Sequence, residues 1–128
     1  MTEGKRVKRV LLVDDEENFA QLLSGLLAMD GYEVTVAHDG KEALQKLEAV
    51  VPDAIISDIV MPGMDGLEMF RQIKLAQRTS SIPFLFITGY QDGPILDKAR
   101  KIGTFGILQK PIDIEQIERR LAELARRH

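Results

Sequence analysis

The sequence predicts an α/β sandwich, a parallel sheet with helices packed on both of its faces. Two textures in the chain lead to that expectation. Short, uniformly apolar runs recur, each too short for a helix and too apolar for a strand with one wet face. Between them lie stretches whose apolar residues repeat with helical period. Strict alternation of the two is the pattern of parallel strands joined by helical crossovers. The 128 residues suit one domain spanning 1–128 with a core over about 7–126, since domains run to roughly 100–200 residues.

The first run is Val10-Leu11-Leu12-Val13. A helical stripe of Phe19, Leu22, Leu23, Leu26 and Leu27 follows, with Gly31 placed as its C-terminal cap. The weaker run Val34-Thr35-Val36-Ala37 belongs nearer a sheet edge. Asp39 can cap the second helix, which buries Ala43, Leu44 and Leu47 and ends before Pro52. Ala54-Ile55-Ile56 is the third strand, and Leu67, Phe70 and Ile73 are the stripe of the third helix. Phe84-Leu85-Phe86-Ile87 precedes a fourth stripe of Ile95, Leu96, Ala99 and Ile102, stopped by Gly103. Gly106-Ile107-Leu108 is the last strand. Asp113 with Gln116 forms a capping box opening the last helix. That helix buries Ile114, Ile117, Leu121 and Leu124 and carries Glu115–Arg119 and Glu123–Arg127 pairs on its surface.

Composition removes several function classes. With no cysteine, disulfide scaffolds, zinc fingers, iron–sulfur sites and thiol nucleophiles are excluded. Two histidines, His38 and His128, are too few for a histidine metal cage, and His38 reads as a surface residue after an edge strand. A net charge of −3 gives no pull toward an acidic polymer. The basic run Lys5, Arg6, Lys8, Arg9 lacks interleaved aromatics, so nucleic acid is not expected as a partner of this domain alone. No apolar run approaches the ~20 residues that span a bilayer. The N-terminus has no apolar stretch behind its charges, so a cytoplasmic protein without a membrane partner is expected. The last residue, His128, falls on or just after the final helix. The chain is therefore expected to be either a single-domain protein that works by docking or a piece of a longer one.

In open parallel sheets the functional crevice lies at the carboxyl ends of the strands. Asp14, Asp15, Glu16 and Glu17 follow the first run, and Asp58 follows the third, past Ser57. Thr88 and Gly89 follow the fourth, and Lys110 and Pro111 the fifth, past Gln109. Taken singly, each has a plain structural role: Asp14 or Asp15 could cap the first helix, and Asp58 could be a turn residue. Together they place three carboxylates, a hydroxyl and an ammonium at one sheet edge. Clustered carboxylates repel and raise one another's pKa unless a cation neutralises them. A hard divalent ion bound through oxygen, most simply Mg²⁺, answers that need and leaves positions for phosphoryl oxygens. Such a site suits phosphoryl transfer onto a carboxylate, giving an aspartyl phosphate.

At these residues the sequence resembles the response-regulator receiver domain of two-component signalling. The resemblance runs from Val7 to the last helix. It rests on Val10-Leu11-Leu12-Val13-Asp14-Asp15-Glu16, Ser57-Asp58-Ile59-Val60-Met61-Pro62-Gly63-Met64-Asp65-Gly66, Ile87-Thr88-Gly89 and Lys110-Pro111. It implies a single-domain flavodoxin-like (βα)5 fold with strand order 2-1-3-4-5. It also implies that Asp58 accepts the phosphoryl group from the phosphohistidine of a sensor histidine kinase or phosphotransfer protein. Asp15, Asp58 and the backbone carbonyl of Val60 would hold Mg²⁺ directly, and Asp14 through water. Lys110 would pair with Asp58 and then with the phosphoryl group, and Thr88 would swing to bond a phosphoryl oxygen. Pro111 would follow a cis peptide bond. Such a protein is a switch and not an enzyme acting on a metabolite, catalysing only its own phosphorylation and dephosphorylation. Its output surface would be the face of the fourth helix, fifth strand and fifth helix, where Lys98, Arg100, Lys101, Arg119, Arg120, Arg126 and Arg127 lie.

Two positions depart from the family pattern. Ile107 stands where an aromatic switch residue is usual, three before the lysine; Phe105 would share its face on a regular strand but is expected in the loop before it and is not assigned the switch role. Gly89 stands where alanine is commoner. Residues two beyond the acceptor and two beyond the threonine influence phosphate lifetime in the family. Here they are Val60 and Tyr90, an apolar and a bulky residue expected to slow self-dephosphorylation. Ile107 also keeps open the alternative of a phosphorylation-independent, receiver-like protein-binding module. A metal-dependent phosphatase would need an acid/base aspartate where Val60 stands.

Overall fold

The computed structural model describes residues 7–61, 63–89, 94–101, 106–111 and 113–127, the last four and residues 95 and 96 by their backbone alone. Ten elements alternate in chain order. They are β1 (Arg9–Val13), α1 (Glu17–Met29), β2 (Glu33–Ala37), α2 (Gly40–Ala49) and β3 (Ala54–Asp58), then α3 (Gly66–Leu75), β4 (Phe84–Thr88), α4 (Pro94–Lys101), β5 (Gly106–Gln109) and α5 (Ile114–Arg127). All strands are parallel, in the order β2-β1-β3-β4-β5. The fold is therefore the flavodoxin-like one that the motifs implied.

Alternation along each strand separates two cores. Leu11, Val13, Ile55, Phe84 and Phe86 face Ala43, Leu47, Met69, Phe70, Ile73 and Ala99 of α2, α3 and α4. Val10, Leu12, Ile56, Leu85 and Ile87 face Ala20, Leu23, Leu27, Ile117 and Leu121 of α1 and α5. In the first core the rings of Phe70 and Phe84 meet edge to face with centroids 4.9 Å apart. β3 and β4 are buried along their whole length, including the polar Ser57, Asp58 and Thr88 at their carboxyl ends.

The structure corrects several details of the pattern. Gly106-Ile107-Leu108 reads like a covered strand, yet β5 is the second edge and only half-buried. On α1 the buried face is Ala20, Leu23 and Leu27, while Leu22 is 63% exposed and Leu26 36%. A helix lying on a flat sheet buries a narrower arc than its full apolar stripe, and Leu22 falls beyond it. On α5 the ion pair among the described residues is Arg120 with Glu123, at 3.7 Å, in place of Glu115–Arg119. The basic run before β1 is partly structural: Arg9 pairs with Glu33 across the ladder at 3.6 Å. Lys5, Arg6, Ile102, Gly103 and Phe105, and the side chains of Ile95, Leu96, Leu124, Arg126 and Arg127, lie outside the described residues.

Capping follows local chemistry. Gly31, at φ +98°, closes α1, with its own N–H donating to Ala28 O and that of Tyr32 to Leu27 O. Asp39 and Asp65 each accept from the N–H three residues on, Glu42 and Glu68, at 2.8 Å. Asp113 opens α5 through the N–H of Glu115 at 3.0 Å, so the expected box with Gln116 is an Asp turn instead.

Candidate functional site

The site is assembled by the carboxyl ends of β1, β3, β4 and β5. Asp14 follows the last residue of β1, and its N–H extends the ladder to Ala37 O at 3.0 Å. Asp58 is the last residue of β3 and lies in register with Ile87, one step before Thr88, the last residue of β4. Thr88 pairs with Gln109 at the end of β5. The N–H of Lys110 then donates to Thr88 O at 2.7 Å, and the Lys110–Pro111 bond is cis, as expected. Strand register thus aligns four separate stretches of sequence to within two residues, Asp14 level with Asp58, Thr88 one step on and Lys110 two. The start of α3 presses on the same edge. A Cβ on Gly66 would stand 2.3 Å from the Asp58 carbonyl oxygen, so only glycine lets the helix begin there.

Asp14, Asp15 and Asp58 each present a carboxylate oxygen within 4.8 Å of the others. Asp14 is fully buried and Asp58 nearly so, while Asp15 is exposed. Lys110 Nζ lies 3.1 Å from Asp14 Oδ2, 3.1 Å from Glu16 Oε1 and 3.3 Å from Asp58 Oδ2. The ammonium is off line for a hydrogen bond to Asp14, whose Oδ2 is buried without a donor. Neither Asp14 nor Asp15 caps α1. Asp14 Oδ1 instead accepts from the N–H of Glu16 at 2.9 Å, and Glu16 occupies the N-cap without a side-chain cap bond.

Electrostatics make this cluster a cation site in search of charge. Burial pushes the Asp58 carboxyl above the usual carboxylate range despite the opposing charge and hydrogen bond of Lys110 and the N–H groups of Ile59 and Val60. Burial likewise raises Asp14, with the Asp58 charge adding to it against the Glu16 N–H and Lys110. Burial alone would lower Lys110, but Asp58, Asp14 and Glu16 outweigh it and hold the ammonium more firmly protonated. One ammonium thus leaves the carboxylates under-neutralised. A buried carboxylate oxygen with no donor and an all-oxygen donor set fit a hard divalent cation such as Mg²⁺.

Sequence reasoning located Asp14, Asp15, Asp58 and Lys110 in one cluster and Thr88 at the same strand ends. It missed two residues that touch Lys110. Glu16 was seen as part of an acidic run and of the first motif, with no contact assigned to it, and Phe19 only as core. The Phe19 ring lies under the ammonium, with its centroid 4.4 Å from Nζ. The signal for Glu16 was its place at the start of a helix, where a side chain too long to cap is free to reach elsewhere. Val60 is half-buried, Met61 and Met69 are buried and Met64 half-buried, and His38 sits at the surface with Nδ1 3.2 Å from Glu42 Oε1. Pro62 and Tyr90 lie outside the described residues.

The family model of the response regulator receiver domain matches residues 10–122. The chain belongs to this family. Among curated proteins, this receiver domain is 37% identical over 121 residues to the transcriptional regulatory protein TrcR of Mycobacterium tuberculosis, covering 93% of this chain and 46% of that protein. A putative response regulator from Chloroflexus aurantiacus superposes with a TM-score of 0.87 at 30% identity, covering 94% of this chain and 99% of that one. The chemotaxis response regulator CheY4 of Vibrio cholerae gives 0.83 at 33% identity, covering 92% and 98%. The receiver domain spans about half or less of the length of the curated relatives it matches. Among the described residues, no helix is long and apolar enough to cross a membrane.

Proposed function

We propose that this receiver domain, one unit over about residues 7–126, takes a phosphoryl group onto Asp58 from the phosphohistidine of a sensor histidine kinase or phosphotransfer protein. The observation that carries this reading is the cluster itself: three carboxylates within 4.8 Å and an ammonium 3.3 Å from Asp58. A carboxylate oxygen of Asp58 attacks phosphorus, the phosphorus–nitrogen bond breaks, and the imidazole leaves with the bonding pair. Asp15, Asp58 and the Val60 carbonyl would hold Mg²⁺, with Asp14 acting through water. Bound there, the ion supplies charge neutralisation at the transferring phosphoryl oxygens. Lys110 holds Asp58 before transfer and a phosphoryl oxygen afterwards. Thr88 bonds another and draws the β4–α4 loop with it, altering the face of α4, β5 and α5 on which an output protein docks. The protein is a cytoplasmic switch and not an enzyme acting on a metabolite. By this domain alone the partners are proteins rather than nucleic acid.

Intact mass after incubation with acetyl phosphate, with and without Mg²⁺, tests the acceptor. A Mg²⁺-dependent gain of one phosphoryl group, absent in Asp58→Asn, is the expected result. No gain there and none from a histidine kinase would leave the phosphorylation-independent binding module. Val60 and Tyr90 are proposed to hinder the attacking water. Val60→Asn with Tyr90→Ala should then shorten the phosphate lifetime, and an unchanged lifetime refutes the role.

A further inference from the structure

Lys110 is the counter-ion of the cluster and also the obstacle to any metal that enters it. Its ammonium occupies the neighbourhood of Asp14 Oδ2 and Asp58 Oδ2, two of the oxygens a divalent cation would approach. Two further groups hold the same ammonium from the α1 side. Glu16 Oε1 is 3.1 Å away on a side chain that is 62% exposed. The Phe19 face lies 4.4 Å away, on the third residue of the helix, the slot from which a capping-box side chain would reach back.

Glu16 does not serve α1 in the way its position would suggest, and Phe19 does so only in part, since its ring packs on the core of Ala20, Leu23 and Leu27 and also meets the ammonium. An N-cap favours Asp, Asn, Ser or Thr, whose short side chains reach the first free N–H groups. Glu16 stands there with extended backbone and makes no side-chain cap bond; its carboxylate goes to Lys110 instead. Phe19 is only half-buried, although the rest of its stripe toward the sheet, Ala20, Leu23 and Leu27, is fully covered. Its ring offers the ammonium a negative face without offering a metal any ligand.

We propose that Glu16 and Phe19 form a seat for the Lys110 ammonium, keeping it beside the cluster while Mg²⁺ occupies Asp14, Asp15 and Asp58. This rests on the reading of those three carboxylates as the metal site. Without the seat, Lys110 has only Asp14 and Asp58 as partners and competes with the ion for their oxygens. With it, the ammonium withdraws by a short swing toward α1 and remains within reach of a phosphoryl group on Asp58. Phe19 is a positioning residue in this scheme, acting through Lys110.

Calorimetric titration of Mg²⁺ into the unphosphorylated protein tests the seat. Phe19→Leu, which changes no charge, should weaken Mg²⁺ binding about three- to tenfold, the range a partly desolvated cation–π contact spans. Phe19→Tyr should restore it. Glu16→Gln, an exposed change that spares the fold, should weaken it in the same direction. In a Lys110→Met background neither Phe19→Leu nor its rescue should alter the Mg²⁺ affinity, because there is no ammonium to seat. Equal weakening with and without Lys110 would show a structural effect of the ring and overturn the seat. So would unchanged or tighter Mg²⁺ binding in Phe19→Leu. Failure of the wild-type protein to bind Mg²⁺ would overturn the metal site itself, and the seat with it.

Discussion

An aspartate, a lysine and a threonine stand at each end of this sheet, and they behave differently. At the amino ends of the strands, Asp53 accepts the N–H groups of Lys8 and Arg9 at 3.0 and 2.9 Å. Lys74 Nζ donates to the carbonyls of Ser80 and Ile82, and Thr79 Oγ1 to that of Ile73 at 2.8 Å. Each polar group there is bonded to backbone, closing a loop or a helix end. At the carboxyl ends, Asp14, Asp58 and Lys110 face one another. The lysines show the consequence: burial pulls Lys74 below the usual range, whereas three carboxylates push Lys110 above it. Residue type is shared between the two ends. What separates scaffold from site is whether the backbone takes up the hydrogen bonds or leaves the charges to face one another.

The largest effect should come from removing one lysine at a time. Lys110→Met should slow phosphorylation by acetyl phosphate by about 10²-fold or more, as loss of a donor at a transferring group does. In Mg²⁺ its unfolding midpoint should stay near that of the wild type. Lys74→Met should leave the phosphorylation rate unchanged and cost about 1 kcal/mol, because the partly buried Ile82 carbonyl and the exposed Ser80 carbonyl lose their donor. Rates from intact mass and midpoints from urea unfolding separate the two. Slowed phosphorylation in both variants would erase the distinction between the ends.

The distinction was legible in the sequence only in part. Uniformly apolar strands imply a doubly covered sheet, and the residues after them then fall at one edge, so Asp14, Asp58, Thr88 and Lys110 could be grouped without coordinates. The backbone-bonded set could not be recognised in the same way. Asp53, Lys74 and Thr79 are bonded to residues whose approach depends on loop paths that spacing does not reveal. The same holds for Glu16 and Phe19, whose contact with Lys110 spans 94 positions in the case of the glutamate. Gly66 was quoted as motif, but its reason, a helix start laid against the Asp58 carbonyl, is a packing fact. β5 was misread as a covered strand because apolar content does not distinguish an edge strand from a central one.

The smallest effect expected concerns an acidic pair that departs from both patterns. Glu118 of α5 faces Asp30 at the end of α1, with Glu115 on its own helix adding charge, and its Oε2 is buried without a donor. Two carboxylates in contact can bond only if one is protonated. The Asp30 hydrogen bond, with burial and the charges of Asp30 and Glu115, therefore pushes Glu118 up to about 7. A carboxyl raised in the folded state contributes stability that is full below its unfolded pKa and lost as pH rises through the folded one. Urea midpoints should therefore fall between pH 5 and pH 8, measured in saturating Mg²⁺ so that Asp14 and Asp58, which shift in the same direction, stay ionised throughout. Glu118→Gln should flatten that fall, matching the wild type at pH 5 and exceeding it at pH 8. A difference between the two proteins that is the same at both pH values would mean that the pair shares no proton. It would also mean that clustered carboxylates in this fold are strained only at the carboxyl ends of the strands.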